Sequence, residues 1–218
     1  MIDLEIVGTG HPIVEADLVE FRLLFAGALP SAASAPQKHV IRRSFHPQLR
    51  ELWRQHVNLR NLAAAKGNDG QPTSGEEERF SKGIAAIGKN WRRGNYNLVP
   101  LVTSEMVLRC SLDIIILRPE NEYGIVRNGD IDNKLKTLFD ALRMPVSAAE
   151  TGQASPEEDE EPLFVLLEDD GLISEVKVST DRLLMLPNER RIRSEDAYAM
   201  IHVRVNHRNA RTFDNYFG

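Results

Sequence analysis

A single cysteine, Cys110, stands among 218 residues. An intrachain disulfide framework and a cysteine-cluster zinc site are both excluded. Long apolar runs are missing as well. No stretch approaches the ~20 residues that a membrane-spanning helix needs, so no membrane partner is expected. Asp3 and Glu5 stand where a signal peptide requires positive charge, and no targeting segment is expected. There is no overall basic excess: 27 Lys and Arg face 32 Asp and Glu, for a net charge of -5. A whole-chain electrostatic footprint for nucleic acid is therefore lacking. What is present is ordinary for a globular chain, with 42% apolar and 27% charged residues, enough for a real core. A soluble, cytoplasmic protein of a reducing compartment is expected.

The charge is unevenly spread. Nine acids and no base lie between Glu150 and Asp170, and removing them leaves 23 acids against 27 bases. The rest of the chain is thus mildly basic. Bases gather at Lys38, Arg42 and Arg43, at Arg50, Arg54 and Arg60, and at Lys82, Lys89, Arg92 and Arg93. Local placement of charge matters more for phosphate contact than the total does.

Periodicity supplies the elements. Val19, Phe21, Leu23 and Phe25 alternate with Glu20 and Arg22, the pattern of a half-buried strand. Residues 29–36 read as a loop. Pro47 fits the first turn of a helix, whose apolar stripe is Leu49, Leu52, Trp53, Val57 and Leu62. Residues 67–97 read as an irregular insertion with one short helix near Glu76 to Ile87. Residues 106–117 alternate most clearly, with Cys110 on the apolar face, where a small buried hydrophobe is expected rather than a nucleophile. Ile131, Leu135, Leu138, Phe139 and Leu142 mark an amphipathic helix with Asp130 as its N-cap. Residues 147–162 are acidic and poor in large apolar side chains, and a mobile insertion is expected there. Short strands follow at Phe164–Leu167, Ile173–Val178 and Ala197–Val205. Residues 1–17 read as an N-terminal extension. The mixture lacks regular strand–helix alternation and predicts one α+β domain, a mixed sheet with two main helices packed on it.

The chemistry concentrates in Gly129-Asp130-Ile131-Asp132-Asn133-Lys134-Leu135-Lys136, where two carboxylates open a helix and Lys136 follows Asp132 by one turn. A second acidic pair, Asp169-Asp170, falls between two predicted strands. Either pair alone is an ordinary cap or turn. Carboxylates gathered from separate elements repel unless a cation joins them, and Mg²⁺ prefers oxygen ligands. Three carboxylates and a lysine suit metal-assisted phosphodiester hydrolysis, with the lysine stabilising charge on the phosphate.

With the helix end Phe139-Asp140-Ala141-Leu142 and the strand Ile173-Ser174-Glu175-Val176-Lys177-Val178 after Asp169-Asp170, the chain resembles the RusA family of Holliday junction resolvases. That resemblance implies an α+β, homodimeric, Mg²⁺-dependent endonuclease, often prophage-encoded, that nicks branched DNA, with Mn²⁺ able to substitute. It implies Asp130, Asp132 and Asp170 as catalytic metal ligands, Asp169 as a supporting ligand and Lys136 as the catalytic lysine. Arg42, Arg43, Arg50, Arg54 and Arg127 are weaker candidates for DNA contact. A non-catalytic relative that binds DNA or protein on the same scaffold is the alternative.

The chain departs from the family in three places. The turn at 29–36 has no Asn or Tyr, Gly129 stands where a base often precedes the first Asp, and 147–162 lengthens the path from Lys136 to Asp170. Glu157–Glu161 reads as a solvated loop tip or as a phosphate mimic lying over the basic face. The six histidines show no metal-ligand spacing. His39 is expected on a surface loop, Trp53 in the core and Trp91 partly buried.

Overall fold

The computed structural model describes residues 19–68, 75–119, 128–151, 154–184 and 196–207, with backbone alone at 128–130. The expected extension 1–17 lies outside the described residues. Among the described residues are six strands: β1 (Val19–Ala28), β2 (Leu98–Val102), β3 (Leu108–Arg118), β4 (Leu163–Leu167), β5 (Ile173–Arg182) and β6 (Asp196–His207). Four helices accompany them: α1 (Ala35–Gln55), α2 (Val57–Lys66), α3 (Glu76–Asn90) and α4 (Asn128–Leu142). The fold is α+β, as the sequence predicts, although four helices form where two main ones are expected.

The larger sheet runs β1-β6-β3-β5. Its β1–β6 and β6–β3 pairs are antiparallel and its β3–β5 pair is parallel, so the sheet is mixed. Alternation decides what is buried. Leu23 and Phe25 on β1, Cys110, Leu112, Ile114 and Ile116 on β3, and Ala199, Ile201 and Val203 on β6 form the helix-side face. Cys110 is fully buried, and that burial pushes its thiol up to about 12, which leaves it inert. α1 packs on β1, β4 and α4.

β2 and β4 form a separate parallel pair, buried at every position. Strands covered on both faces read as unbroken apolar runs rather than alternation, so β2 has no counterpart in the sequence reading. Pro100 lies at its centre. A ladder with one partner leaves a free side on which proline's missing N–H costs nothing.

α1 starts twelve residues ahead of Pro47, which therefore lies inside it rather than in its first turn. Pro36 occupies the tolerated early position, and the Gln37 side chain reaches back to accept from Ser34 N–H at 2.8 Å. The extended backbone of His56 separates α1 from α2. Much of the expected irregular insertion is α3, which packs along α2. Glycine permits that approach: a Cβ on Gly83 would sit 1.7 Å from the Ala63 carbonyl oxygen, and one on Gly67 2.0 Å from that of Arg79.

Gly83→Ala should lower stability in urea unfolding by about 2 kcal/mol or more, as overpacking does. Gly75→Ser, at the N-cap of α3 where a Cβ meets nothing within 4 Å, should be neutral or slightly stabilising.

Candidate functional site

α4 is held by polar side chains as well as by its apolar stripe. Lys134 is buried and donates to the Leu29 carbonyl at 2.6 Å, and the Thr137 hydroxyl donates to the Pro30 carbonyl at 3.1 Å. These two bonds turn one face of α4 onto the segment after β1. Asp132 and Lys136, one turn apart, are left exposed. Asp132 Oδ1 accepts from the Asn133 backbone N–H at 2.9 Å. Asp130 falls inside α4 rather than at its N-cap, because the helix begins at Asn128. Its side chain, and Arg127, lie outside the described residues.

The second acidic pair follows β4. Asp169 caps a 3-10 turn, Asp170–Leu172, by accepting from Gly171 N–H at 2.9 Å. Asp170 is exposed, while Leu172 and Ile173 anchor the turn to the core. Residues of α4 come within 8 Å of residues of this turn, Cα to Cα. At the far end of α4, Met144 N–H donates to the Leu167 carbonyl at 2.8 Å. The fold thus brings together the two elements that carry the expected acids. Among the described residues, no group of three or more His, Cys, Asp or Glu side chains is assembled for a metal, and Asp130 stands outside that set. Asp132, Asp169 and Asp170 are exposed and offer oxygen alone, a donor set that fits a hard divalent cation.

The sequence reading passed over the support of this turn. Glu168 accepts from both the backbone N–H and the hydroxyl of Ser104, each at 2.7 Å. That bond ties the β2–β3 turn to the residue just before Asp169. In the same turn Val107 has φ 56°, a left-handed conformation that a β-branched residue rarely adopts. Such strain persists where the surroundings over-determine it.

The arginines of α1 are engaged elsewhere. Arg42 does not lie on a phosphate track. It is 1% exposed, and its guanidinium donates to the Arg143 carbonyl at 2.9 Å and the Asp140 carbonyl at 2.6 Å. These carbonyls belong to the C-terminal end of α4, where no intrahelical donor remains. Burial lowers the Arg42 pKa to about 10, with Glu150 and Asp140 opposing. His39 is buried in α1, not on a surface loop, with its Nε2 3.1 Å from the Tyr96 hydroxyl and its Nδ1 3.3 Å from Arg42. Lys38 and Arg143 both pair with Asp140, at 2.7 and 2.9 Å, and Arg143 also reaches Glu150 at 3.2 Å. Burial alone would raise the Asp140 pKa, but those two cations outweigh it and hold the carboxyl below its ordinary value.

The described residues of the acidic segment, a segment expected to be mobile, lie along α1. Arg43 pairs with Glu157 and with the buried Glu160. Burial works against the charged guanidinium, yet the hydrogen bonds and charges of these two glutamates raise its pKa. Arg50 donates to the Asp159 carbonyl at 3.0 Å and approaches its carboxylate at 3.9 Å. His46 contacts the Asp159 carbonyl through Nε2 at 2.8 Å, and its Nδ1 accepts from Phe164 N–H at 2.9 Å. Ion pairs and backbone bonds hold this segment where apolar burial cannot. Glu157, Asp159 and Glu160 face basic residues of α1, while Glu157, Glu158, Asp159 and Glu161 stay exposed to solvent. Arg54 pairs with Glu77 of α3 at 3.6 Å.

Compared with protein-family models and with curated proteins, the chain matches none.

Three outcomes follow from these contacts. Arg43→Ala leaves the Glu160 carboxylate buried without its partner and should cost about 3 kcal/mol in urea unfolding. Adding Glu160→Gln should recover part of that loss, the signature of a coupled pair. His39 and His46 carry pKa values lowered chiefly by burial, His39 to about 4. The unfolded chain therefore binds more protons once pH falls below about 6.5. Stability should be complete above that pH and drain away towards pH 4, read as a falling urea midpoint. Finally, Val107→Gly should raise the melting temperature, by relief of about 1 kcal/mol of strain.

Proposed function

We propose that this chain is a Mg²⁺-dependent endonuclease of the RusA type, acting as a homodimer on branched DNA in the cytoplasm. The observation that carries the reading is the approach of α4, with Asp132 and Lys136 exposed one turn apart, to the turn that bears Asp169 and Asp170. The sequence motif supports it independently, since Asp130, Asp132 and Lys136 follow the family's spacing and Asp169-Asp170 stand before a strand as in the family, although 147–162 lengthens the path between the two groups.

In this reading Asp130, Asp132 and Asp170 hold the cation, and Asp169 orients the turn through its bond to Gly171 N–H. A bound Mg²⁺ would supply an activated water and a positive charge against the scissile phosphate. Lys136 projects from the same exposed side as Asp132 and contacts that phosphate, offsetting the charge that builds on it. Buried Lys134 is not interchangeable with it, being spent on the Leu29 carbonyl. Arg42 is excluded from DNA contact by burial, and Arg43 and Arg50 meet phosphate only if the acidic segment yields. Two nicks at symmetric positions need two sites, which a two-fold dimer provides.

A labelled four-way junction with Mg²⁺ tests the proposal. Wild type should give paired nicks. Asp132→Asn should lower the nicking rate by at least a thousandfold while junction binding persists or tightens, because a negative charge near phosphate is lost. Binding without nicking by wild type would instead favour a non-catalytic DNA-binding relative.

A further inference from the structure

The two edges of the main sheet are treated differently. At β1, the Gln48 side chain accepts from Leu24 N–H at 2.9 Å and donates to the Leu24 carbonyl at 2.8 Å. An amide of α1 thus occupies backbone groups that would otherwise recruit another strand. β5 has no such device: among the described residues, no strand pairs with it on the side away from β3. It is a ten-residue strand, largely exposed. Val176 shares its row with buried Leu112 and Val203 yet is 41% exposed. An apolar side chain on the helix-side face is thereby left open at the sheet's margin.

The residues of β5 specify what would cover this edge. Glu175 and Lys177 flank Val176 and point to the opposite face, in rows with Ser111 and Asp113. When two copies of one strand pair antiparallel about a two-fold axis through the sheet, directly opposed residues share a face. The axis must then pass through a residue, not between two. Centred on Val176, the register sets Val176 against itself and Glu175 against Lys177 of the other copy, twice. Centred on Glu175 or Lys177, it opposes like charges. Centred on Val178, it sets Glu175 against Asp181. One register therefore joins apolar contact to two opposite-charge pairs.

We propose that β5 is the dimerisation edge, two copies joining antiparallel about Val176 to make one continuous eight-stranded sheet from two four-stranded ones. The interface adds backbone ladder bonds to the Val176 contact and the two Glu175–Lys177 pairs. Lys177 lies 3.2 Å from Asp113 within its own chain, so it enters the interface already oriented. This gives a surface to the homodimer of the proposed function and rests on that reading only for its consequence. The Asp169–Asp170 turn immediately precedes β5. Three strand steps separate Ile173, the first residue of β5, from Val176, so the starts of the two strands would lie roughly 20 Å apart, with the two acidic turns just beyond them at opposite ends of the paired strands.

Sedimentation velocity of the full chain tests the interface without reference to catalysis. Wild type should sediment as a dimer. Glu175→Lys, which sets lysine against Lys177, should weaken dimerisation at least tenfold. The double variant Glu175→Lys/Lys177→Glu should restore it by reversing both pairs. A monomeric wild type, a dimer indifferent to Glu175→Lys, or a double variant no better than the single would each overturn the proposal. A dimer that fails to nick a junction would count against the nuclease reading alone, and a monomer that nicks would count against the interface and the homodimer but not against the nuclease chemistry.

Discussion

The architecture depends on one buried guanidinium. Arg42 comes from the middle of α1 and ends against the carbonyls of Asp140 and Arg143. It meets acceptors at the C-terminal end of the helix and places positive charge where the helix dipole is negative. Asp140 then gathers Lys38 and Arg143, and Arg143 gathers Glu150. The C-terminal end of α4, the first half of α1 and the start of the acidic segment are thereby locked together. Removing a charge from such a network leaves its partners buried and unpaired, which costs more than the pair gains. The position of α4, and with it that of Asp132 and Lys136, follows from a polar network as much as from apolar packing.

This arrangement clarifies the acidic segment. Its charge sum hides a basic chain in plain composition, and several of its acids are paired with bases of the fold. Glu150 belongs to the Arg143 network, while Glu157, Asp159 and Glu160 answer Arg43 and Arg50. His46 joins the segment to β4 by working as donor on one ring nitrogen and acceptor on the other. Only neutral imidazole can do both, which agrees with its lowered pKa. Much of the basic face of α1 therefore serves the fold.

The strands that face core on one side were legible from alternation: Val19, Leu23 and Phe25, Cys110 to Ile116, and Ala199 to Val205 are buried as their spacing predicts. The apolar stripe of α4 was legible for the same reason. β2 was not, because a strand buried on both faces does not alternate and Pro100 interrupts it. α1 extends past Pro47 because Ser34, Pro36 and Gln37 already start the helix, a local signal weaker than the proline. The contacts of Glu150, Glu157, Asp159 and Glu160 were invisible because periodicity reports apolar burial, and these residues are held by charge. The burial of Arg42 escaped for the same reason. At the candidate site, the motif placed Asp132, Lys136, Asp169 and Asp170 on the right kinds of element. The Ser104–Glu168 tie had no sequence signal at all, since it joins residues 64 apart.

The central claim is that the acids of α4 and of the turn before β5 form one cation site. Manganese electron paramagnetic resonance reads this directly, because the signal of free Mn²⁺ falls as protein binds it. Titrated with wild type, the signal should fall saturably, and Asp170→Asn should weaken the binding at least tenfold without loss of fold. A wild type that leaves the Mn²⁺ signal unchanged, or an Asp170→Asn variant that binds as well as wild type, would contradict the account.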